Sequence, residues 1–453
     1  MVALASSEPE SNPAIRFPSR AERQFQAEQQ NSQVLRMPLR RRPPTRVMVP
    51  AREDVEERRT RAEPSSTTAT ATGPNPHPTP NKSNLTAMFQ DVAYGIKIWI
   101  GTPEQSVILD FDTGSSETWV DPPCTMMEGS GAYEELCRSL GSYIPIASQD
   151  GKSVNDTCGP GWISYGSGAT YVTYFRDTVT FFVDPFDVSG VGNHFKLSKP
   201  VQFGVATWAE GMVSGIFGAA YGVGYNQNYS SFIDEIYNQG LVLDKDFSVS
   251  LGSVGEEEAG EVVFGGIDLK KFVGPLQGIP LSSQLSRQAD GYYRYWINVT
   301  AISVTRPGSC LSVPVTNSSF SERFLPDTGT TMTYLPEEVF YNLLSYFPDA
   351  EPVPSYGYVL NCAHLYDEGG YVSFTFDGIT IHVPWNQFIF QVPPIFRDEK
   401  DVICILGAVP TDAFFILGDT FLRGAYALFR QQEHKVYLAQ YSDCGTHVVS
   451  SHG

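Results

Sequence analysis

The sequence predicts an all-β chain built from two related halves, on three observations. The first is composition: 40 Gly, 32 Pro, 23 Tyr and 28 Phe in 453 residues, a mix that favours strands and turns over helical bundles. The second is patterning, with short apolar runs of period two separated by Gly, Asn, Asp and Pro. The third is an internal echo, an apolar run followed by Asp-Thr-Gly, which occurs twice. Hydrophobic residues make up 42 %, enough for a large core, and the length fits one to three domains.

Taken in order, the first eighty residues do not read as a folded domain. They hold twelve Arg, no Lys and nine acids, a net charge of +3. The rest holds 19 basic and 41 acidic residues, a net of −22 within the overall −19. That acidity argues against a phosphate-binding surface, and so against nucleic acid as a partner. Residues 1–5 lack the basic start and long apolar stretch of a signal peptide. Ala3-Leu4-Ala5 nevertheless fits the small-residue end of one, and an ordinary chain terminus reads equally well. Arg40-Arg41-Arg42 and Arg58-Arg59-Thr60-Arg61 read either as processing sites or as solvated charge runs. Pro64 to Pro80 carries five Pro and no Asp, Glu, Lys or Arg, so residues 62–85 read as an extended linker, open to O-glycosylation.

From about Leu85 the body begins. Tyr94–Ile100, Tyr171–Phe175, Thr178–Val183 and Tyr371 through Ile381 carry strand patterns. Helical patterns are few: Ser231–Asn238, and Pro336–Leu344 with Pro and two Glu at its start. No apolar run approaches the roughly 18 residues of a membrane span.

The echo carries the chemistry. Val107-Ile-Leu-Asp-Phe-Asp112-Thr-Gly-Ser-Ser matches Phe324-Leu-Pro-Asp327-Thr-Gly-Thr-Thr, and Ile216-Phe217-Gly218 matches Ile416-Leu417-Gly418. One Asp-Thr-Gly is an ordinary turn; two in matching settings suggest a duplicated lobe. Packed about a pseudo-twofold axis, Asp112 and Asp327 can meet. Two touching carboxylates cannot both ionise cheaply, so they share one proton, and a water between them becomes the nucleophile. Gly114 and Gly329 permit close approach, Ser115 and Thr330 can orient the outer carboxylate oxygens, and Thr113 and Thr328 can cross-link the loops from beneath.

On these motifs the sequence resembles the pepsin-like aspartic proteases, of the secreted fungal type, over most of residues 85–445. Asp112-Thr-Gly-Ser-Ser-Glu-Thr-Trp-Val120 is similar to the first catalytic motif. Ile163-Ser-Tyr165-Gly166-Ser167-Gly168 resembles the flap hairpin, which implies Tyr165 over the substrate with Trp119 as its hydrogen-bond partner. Glu261–Asp268, Tyr295–Val299 and Phe415–Arg423 resemble later family segments, and Asp419 in the last reads as a structural turn. The resemblance implies a bilobal fold, two β-barrel-like lobes about a central cleft, with lobes at 86–270 and 271–445 and a polar tail at 446–453. It implies an aspartic endopeptidase that cleaves protein or peptide substrates without metal, cofactor or covalent intermediate. Residues 1–61 are then expected to be a propeptide, an intramolecular inhibitor lying across the acidic cleft, removed near Arg59 or Arg61. A monomer active at acid pH is expected.

Three places depart from the family pattern. Pro326 precedes the second Asp, Glu117-Thr118 stands in the first motif, and Ala169 follows the flap. Acids near the cleft such as Glu117 and Glu128 leave cleavage at basic residues open beside the apolar default. A catalytically silent binding protein on this fold would show a damaged dyad or flap, and both are intact. A serine hydrolase lacks its G-x-S-x-G elbow. Of seven Cys, the resemblance pairs Cys362 with Cys404; Cys124 and Cys137 close a short loop as a second pair, and Cys158, Cys310 and Cys444 stay unassigned. No C-x-x-C or H-E-x-x-H occurs, so no metal site is expected. Six sequons, at Asn81, Asn84, Asn155, Asn228, Asn298 and Asn317, with the Cys favour a secreted protein, a vacuolar one being the alternative.

Overall fold

The computed structural model describes residues 81–451 except 89–92, 122–136, 155–160, 167, 183–193, 213, 255–259, 283–290, 355 and 393–401. The predicted β-structure is present. Strand β1 (Asn81–Met88) pairs with β2 (Ala93–Ile100), and β2 with β3 (Gln105–Asp112), all antiparallel. Alternation explains them: Tyr94, Ile96, Ile98 and Ile100 of β2, and Val107, Leu109 and Phe111 of β3, enter one apolar core. The face of β3 carrying Ile108, Asp110 and Asp112 is turned the other way. Gly260–Phe264 pairs with β1 and Asp246–Ser250 with Gly260–Phe264.

The duplication is visible in register. Ile216–Gly218 runs parallel to β3, with Gly218 beside Asp112, and meets Trp119 of β4 (Trp119–Val120) antiparallel. In the second half Ile416–Leu417 runs parallel to Glu322–Pro326, with Leu417 beside Pro326, and meets Tyr334 antiparallel. Each Asp-Thr-Gly is therefore delivered by the same three-strand device.

Two sequence boundaries are corrected. Asn81–Leu85, read as linker, belongs to β1 and pairs with Gly260–Phe264, since Lys82 reaches the buried Glu261 at 2.5 Å. Val448–Ser450, read as polar tail, pairs with Gly266–Asp268. The stretch Tyr371 through Ile381 is a hairpin, Tyr371–Phe376 with Ile379–Pro384, turned at Gly378 where φ is +84°. Among the described residues the sheets are open-ended paths, not closed barrels. The largest mixes both halves: Ala425–Arg430 lies between Asp246–Ser250 and Lys435–Tyr441, and Phe272–Pro280 adds beyond.

The expected helices form. Phe232–Asn238 starts in a capping box of Ser231 and Asp234, and Glu337–Leu344 follows Pro336 with two acids in its first turn. Cys362 and Cys404 form a disulfide, and Cys310 and Cys444 are exposed thiols. Cys137 is disulfide-bonded; Cys124 and Cys158 lie outside the described residues, as do the region 1–80 and its expected processing sites. No described helix is long and apolar enough to cross a membrane.

Candidate active site

Asp112 ends β3, and Asp327 follows the strand Glu322–Pro326. Both chains turn sharply there, which frees amide N–H groups to point back at the carboxylates. Gly114 N donates to Asp112 Oδ1 at 2.7 Å and Gly329 N to Asp327 Oδ1 at 2.9 Å. Ser115 N also donates to Asp112 Oδ1, at 3.1 Å. The Ser115 hydroxyl donates to Asp112 Oδ2, and Thr330 Oγ1 to Asp327 Oδ2 at 2.9 Å.

The loops interlock beneath the pair. Thr113 N donates to Thr328 Oγ1 and Thr328 N to Thr113 Oγ1, each at 3.1 Å. Thr113 Oγ1 donates onward to Pro326 O at 2.9 Å, and Thr328 Oγ1 to Phe111 O. Four reciprocal bonds in a buried setting fix the two loops against each other. Pro326, lacking an N–H, supplies only the carbonyl this arrangement needs.

The glycines place the carboxylates together. A Cβ on Gly114 would lie 2.5 Å from Asp327 Oδ2, and one on Gly329 2.6 Å from Asp112 Oδ1. Each carboxylate thus lies against the backbone of the opposite loop. Asp112 is 6 % exposed and Asp327 7 %, so water reaches one edge of the pair only. Burial, then the charge of Asp112, pushes the Asp327 carboxyl up to about 7, against the bonds from Thr330 and Gly329. A proton shared by this pair is the arrangement that general acid–base activation of water requires.

The flap is a hairpin of Trp162–Ser164 against Ala169–Asp177, closed by Tyr165 N to Gly168 O at 2.8 Å. The indole Nε1–H of Trp119 donates to the Tyr165 hydroxyl oxygen at 2.8 Å. Burial and the charge of Asp112 hold that hydroxyl protonated. Gly166 faces open space; Gly168 lies where a Cβ would strike Glu210 O at 2.1 Å; Ser167 is outside the described residues.

Glu117 is not free to meet a substrate. Its carboxylate accepts from Tyr229 OH and, at 3.0 Å, from Gln227 Nε2, and burial raises its pKa. These bonds argue against Glu117 in the alternative reading that acids near the cleft select basic residues; Glu128 lies outside the described residues. Asp419 is fully buried at the start of Asp419–Leu422, its N–H donating to Thr330 O at 2.8 Å.

Sequence reading missed three supports. Arg294 Nε donates to Gly114 O at 2.8 Å, and Asn226 Nδ2 to Ser116 Oγ at 2.7 Å. Trp162 stacks on Trp208 at 5.2 Å and anchors the flap base. Arg294 directly precedes Tyr295, in a segment the sequence already singled out, but nothing local points it at a loop 180 residues away.

The sequence model described as eukaryotic aspartyl protease matches residues 93–441. Candidapepsin-3 of Candida albicans is 29 % identical over 78 % of this chain and 80 % of its own length. Pepsin-3 of Oryctolagus cuniculus is 28 % identical over 78 % of this chain and 81 % of its own. The crystal structure of an aspartic proteinase from Irpex lacteus superposes with a TM-score of 0.58 at 23 % identity, covering 80 % of this chain and 98 % of that one, and shares the fold. With these matches spanning both Asp-Thr-Gly loops, the chain belongs to the eukaryotic aspartyl protease family and is an aspartic-type endopeptidase of the pepsin type.

Proposed function

We propose that Asp112 and Asp327 are the catalytic pair, with one proton between them. The observation that carries this is the mutual seating of each carboxylate against the other loop's glycine. Burial and the Asp112 charge favour the proton on Asp327, which leaves Asp112 as base. Asp112 takes a proton from a water whose oxygen bonds the scissile carbonyl carbon. Asp327 gives its proton to the carbonyl oxygen, forming a neutral gem-diol. Asp112 then protonates the amide nitrogen, the C–N bond breaks, and a gem-diol proton returns to Asp327. Thr113, Gly114, Ser115 and their counterparts Thr328, Gly329 and Thr330 are positioning residues, and Tyr165 with Trp119 closes the flap.

Activity belongs to acid pH, because the pair loses its working proton as pH rises through the raised value of Asp327. The +3 arm and −22 body support a zymogen whose inhibitory contact weakens as carboxylates protonate. Secretion is supported by relatives that carry it in their names, such as secreted aspartic protease 3 of Candida albicans. Asp112→Asn and Asp327→Asn should each cut peptide cleavage by about 10³-fold or more while thermal unfolding stays cooperative. Near-native activity in either variant overturns the pair, and so does inhibition by a chelator but not by a statine peptide. N-terminal sequencing of the active enzyme should find a new terminus near Arg59 or Arg61.

A further inference from the structure

One sequon has a surrounding that peptide cleavage does not explain. Asn317-Ser318-Ser319 lies on the connection between Ser312–Pro314 and Glu322–Pro326, and all three residues are exposed. Asn317 Oδ1 accepts from the Ser319 N–H at 3.0 Å and from the Ser319 hydroxyl at 2.9 Å. Phe320 N donates to Asn317 O at 3.2 Å, so the turn closes within four residues. The Asn317 Nδ2 makes no hydrogen bond among the described residues. Asn228 and Asn298 differ. Asn298 lies inside a strand opposite Arg323, and the hydroxyl of its Thr300 donates to Thr375 O at 3.1 Å. Asn228 stands between Gln227 and Tyr229, which hold the buried Glu117. Of these three, only Asn317 takes its shape from its own neighbours in sequence, so its turn can form on a chain that has yet to fold.

The strand just before this turn is an open edge. Among the described residues Ser312–Pro314 pairs on one side only, with Ala301–Thr305, and ends its sheet. Ser312, Val313 and Pro314 are all exposed, and the preceding Leu311 is 69 % exposed. Folded chains guard such edges with charged side chains, which repel a strand from a second molecule. Here residues 307–321 hold no Asp, Glu, Lys or Arg. Pro314 removes one donor but leaves Leu311 and Val313 facing water. Asn317 follows Val313 by four residues, so the two lie within about 14 Å of each other.

We propose that Asn317 is an N-glycan attachment site and that its glycan covers the uncharged apolar edge at Leu311 and Val313. This rests on the secreted reading, because the sugar donor meets only chains that enter the secretory route. In the transfer, Asn317 Nδ2 bonds C1 of the reducing-end sugar of an oligosaccharide carried on a lipid diphosphate. The C1–O bond to the diphosphate breaks, the lipid diphosphate leaves, and Nδ2 gives up one proton.

The bulky, hydrated sugar then does what a charge does at other edges, with one difference. Carboxylates lose their repulsion as they protonate, whereas a neutral glycan excludes a second strand at any pH. Cover of this kind suits a chain whose proposed activity lies in acid.

The test uses the enzyme from the culture medium of the organism that makes it, with variants expressed there. After peptide N-glycanase in heavy-oxygen water, mass spectrometry should find Asn317 converted to labelled aspartate in most molecules. Asn317→Gln and Ser319→Ala should each lose the mass of one glycan, and Ser318→Ala should keep it. By light scattering in acid, Asn317→Gln should aggregate several-fold faster than the unmutated enzyme, while peptide cleavage by the soluble fraction stays unchanged. Adding Leu311→Lys and Val313→Lys to that variant should restore its solubility. A bare Asn317 on secreted enzyme overturns the inference, as does an Asn317→Gln variant that stays as soluble as the unmutated enzyme. Enzyme found only inside the cell with all six sequons bare defeats the secreted reading, an outcome distinct from secreted enzyme with a bare Asn317.

Discussion

Gly114 and Gly329 are required for room, not for conformation. Neither carries a left-handed φ; what each lacks is a Cβ that would press on the opposite carboxylate at 2.5 to 2.6 Å. Any real side chain there must push the pair apart, and a misplacement approaching 1 Å costs about 100-fold in rate. Gly329→Ala should therefore lower kcat by about that factor while circular dichroism and thermal unfolding remain close to the unmutated enzyme. An unchanged kcat in Gly329→Ala would show that the interlocked glycines do not set the carboxylate spacing.

At the scale of elements, the flap is a short hairpin held at two points. Trp119 fixes its tip through Tyr165, and the Trp162–Trp208 stack fixes its base. An aromatic pair contributes about 0.5–1.5 kcal/mol beyond buried area, so Trp162→Ala should raise KM roughly 2- to 10-fold with kcat changed less. Steady-state kinetics on one peptide at several pH values checks this; an unchanged KM would leave Trp119 as the only anchor that matters. The Asp-Thr-Gly strands and the Tyr165 hairpin were legible in the sequence because repetition and apolar patterning are local signals. The base anchor was not, because Trp162 and Trp208 meet only once Trp162 pairs with Tyr171 and Tyr171 with Trp208. Glu117 was misread for a similar reason: Tyr229 and Gln227, which occupy it, lie 110 or more residues onward. The ends of the body were misplaced because Asn81–Leu85 reads as a polar sequence and Val448–Ser450 is only three residues long, and both are recognised as strands only through their partners Gly260–Phe264 and Gly266–Asp268.

For the whole molecule, buried acids set the dependence of stability on pH. Burial raises Asp110, Glu117 and Glu261, and raises Asp121 and Asp327 to about 7. Each holds a proton in the folded chain at a pH where the unfolded chain has released it. Stability is therefore full below the ordinary carboxylate range near pH 4 and falls as pH rises toward 7, by about 1.4 kcal/mol per unit for each group in transition. Asp349, Glu433 and Asp443 are shifted downward and act in the opposite sense, but they are more exposed, so solvent screens them. Unfolding temperature should peak in acid and drop between pH 4 and pH 7. A profile that is flat or rising across that interval would contradict the burial of these acids. This pH dependence of stability runs in the same direction as the one proposed for activity.

The sheet that interleaves both halves has a consequence for how the enzyme is made. Ala425–Arg430 and Lys435–Tyr441 stand between Asp246–Ser250 and Phe272–Pro280. While a ribosome is still translating residue 420, the amino-terminal lobe has an open sheet edge and Phe272–Pro280 has no neighbour to join. Completion waits for a segment synthesised more than 170 residues after the first of these strands. A nascent chain that already carries both aspartates therefore lacks the closing strands of its own scaffold. A complete scaffold for the pair therefore requires nearly the whole body to have been synthesised.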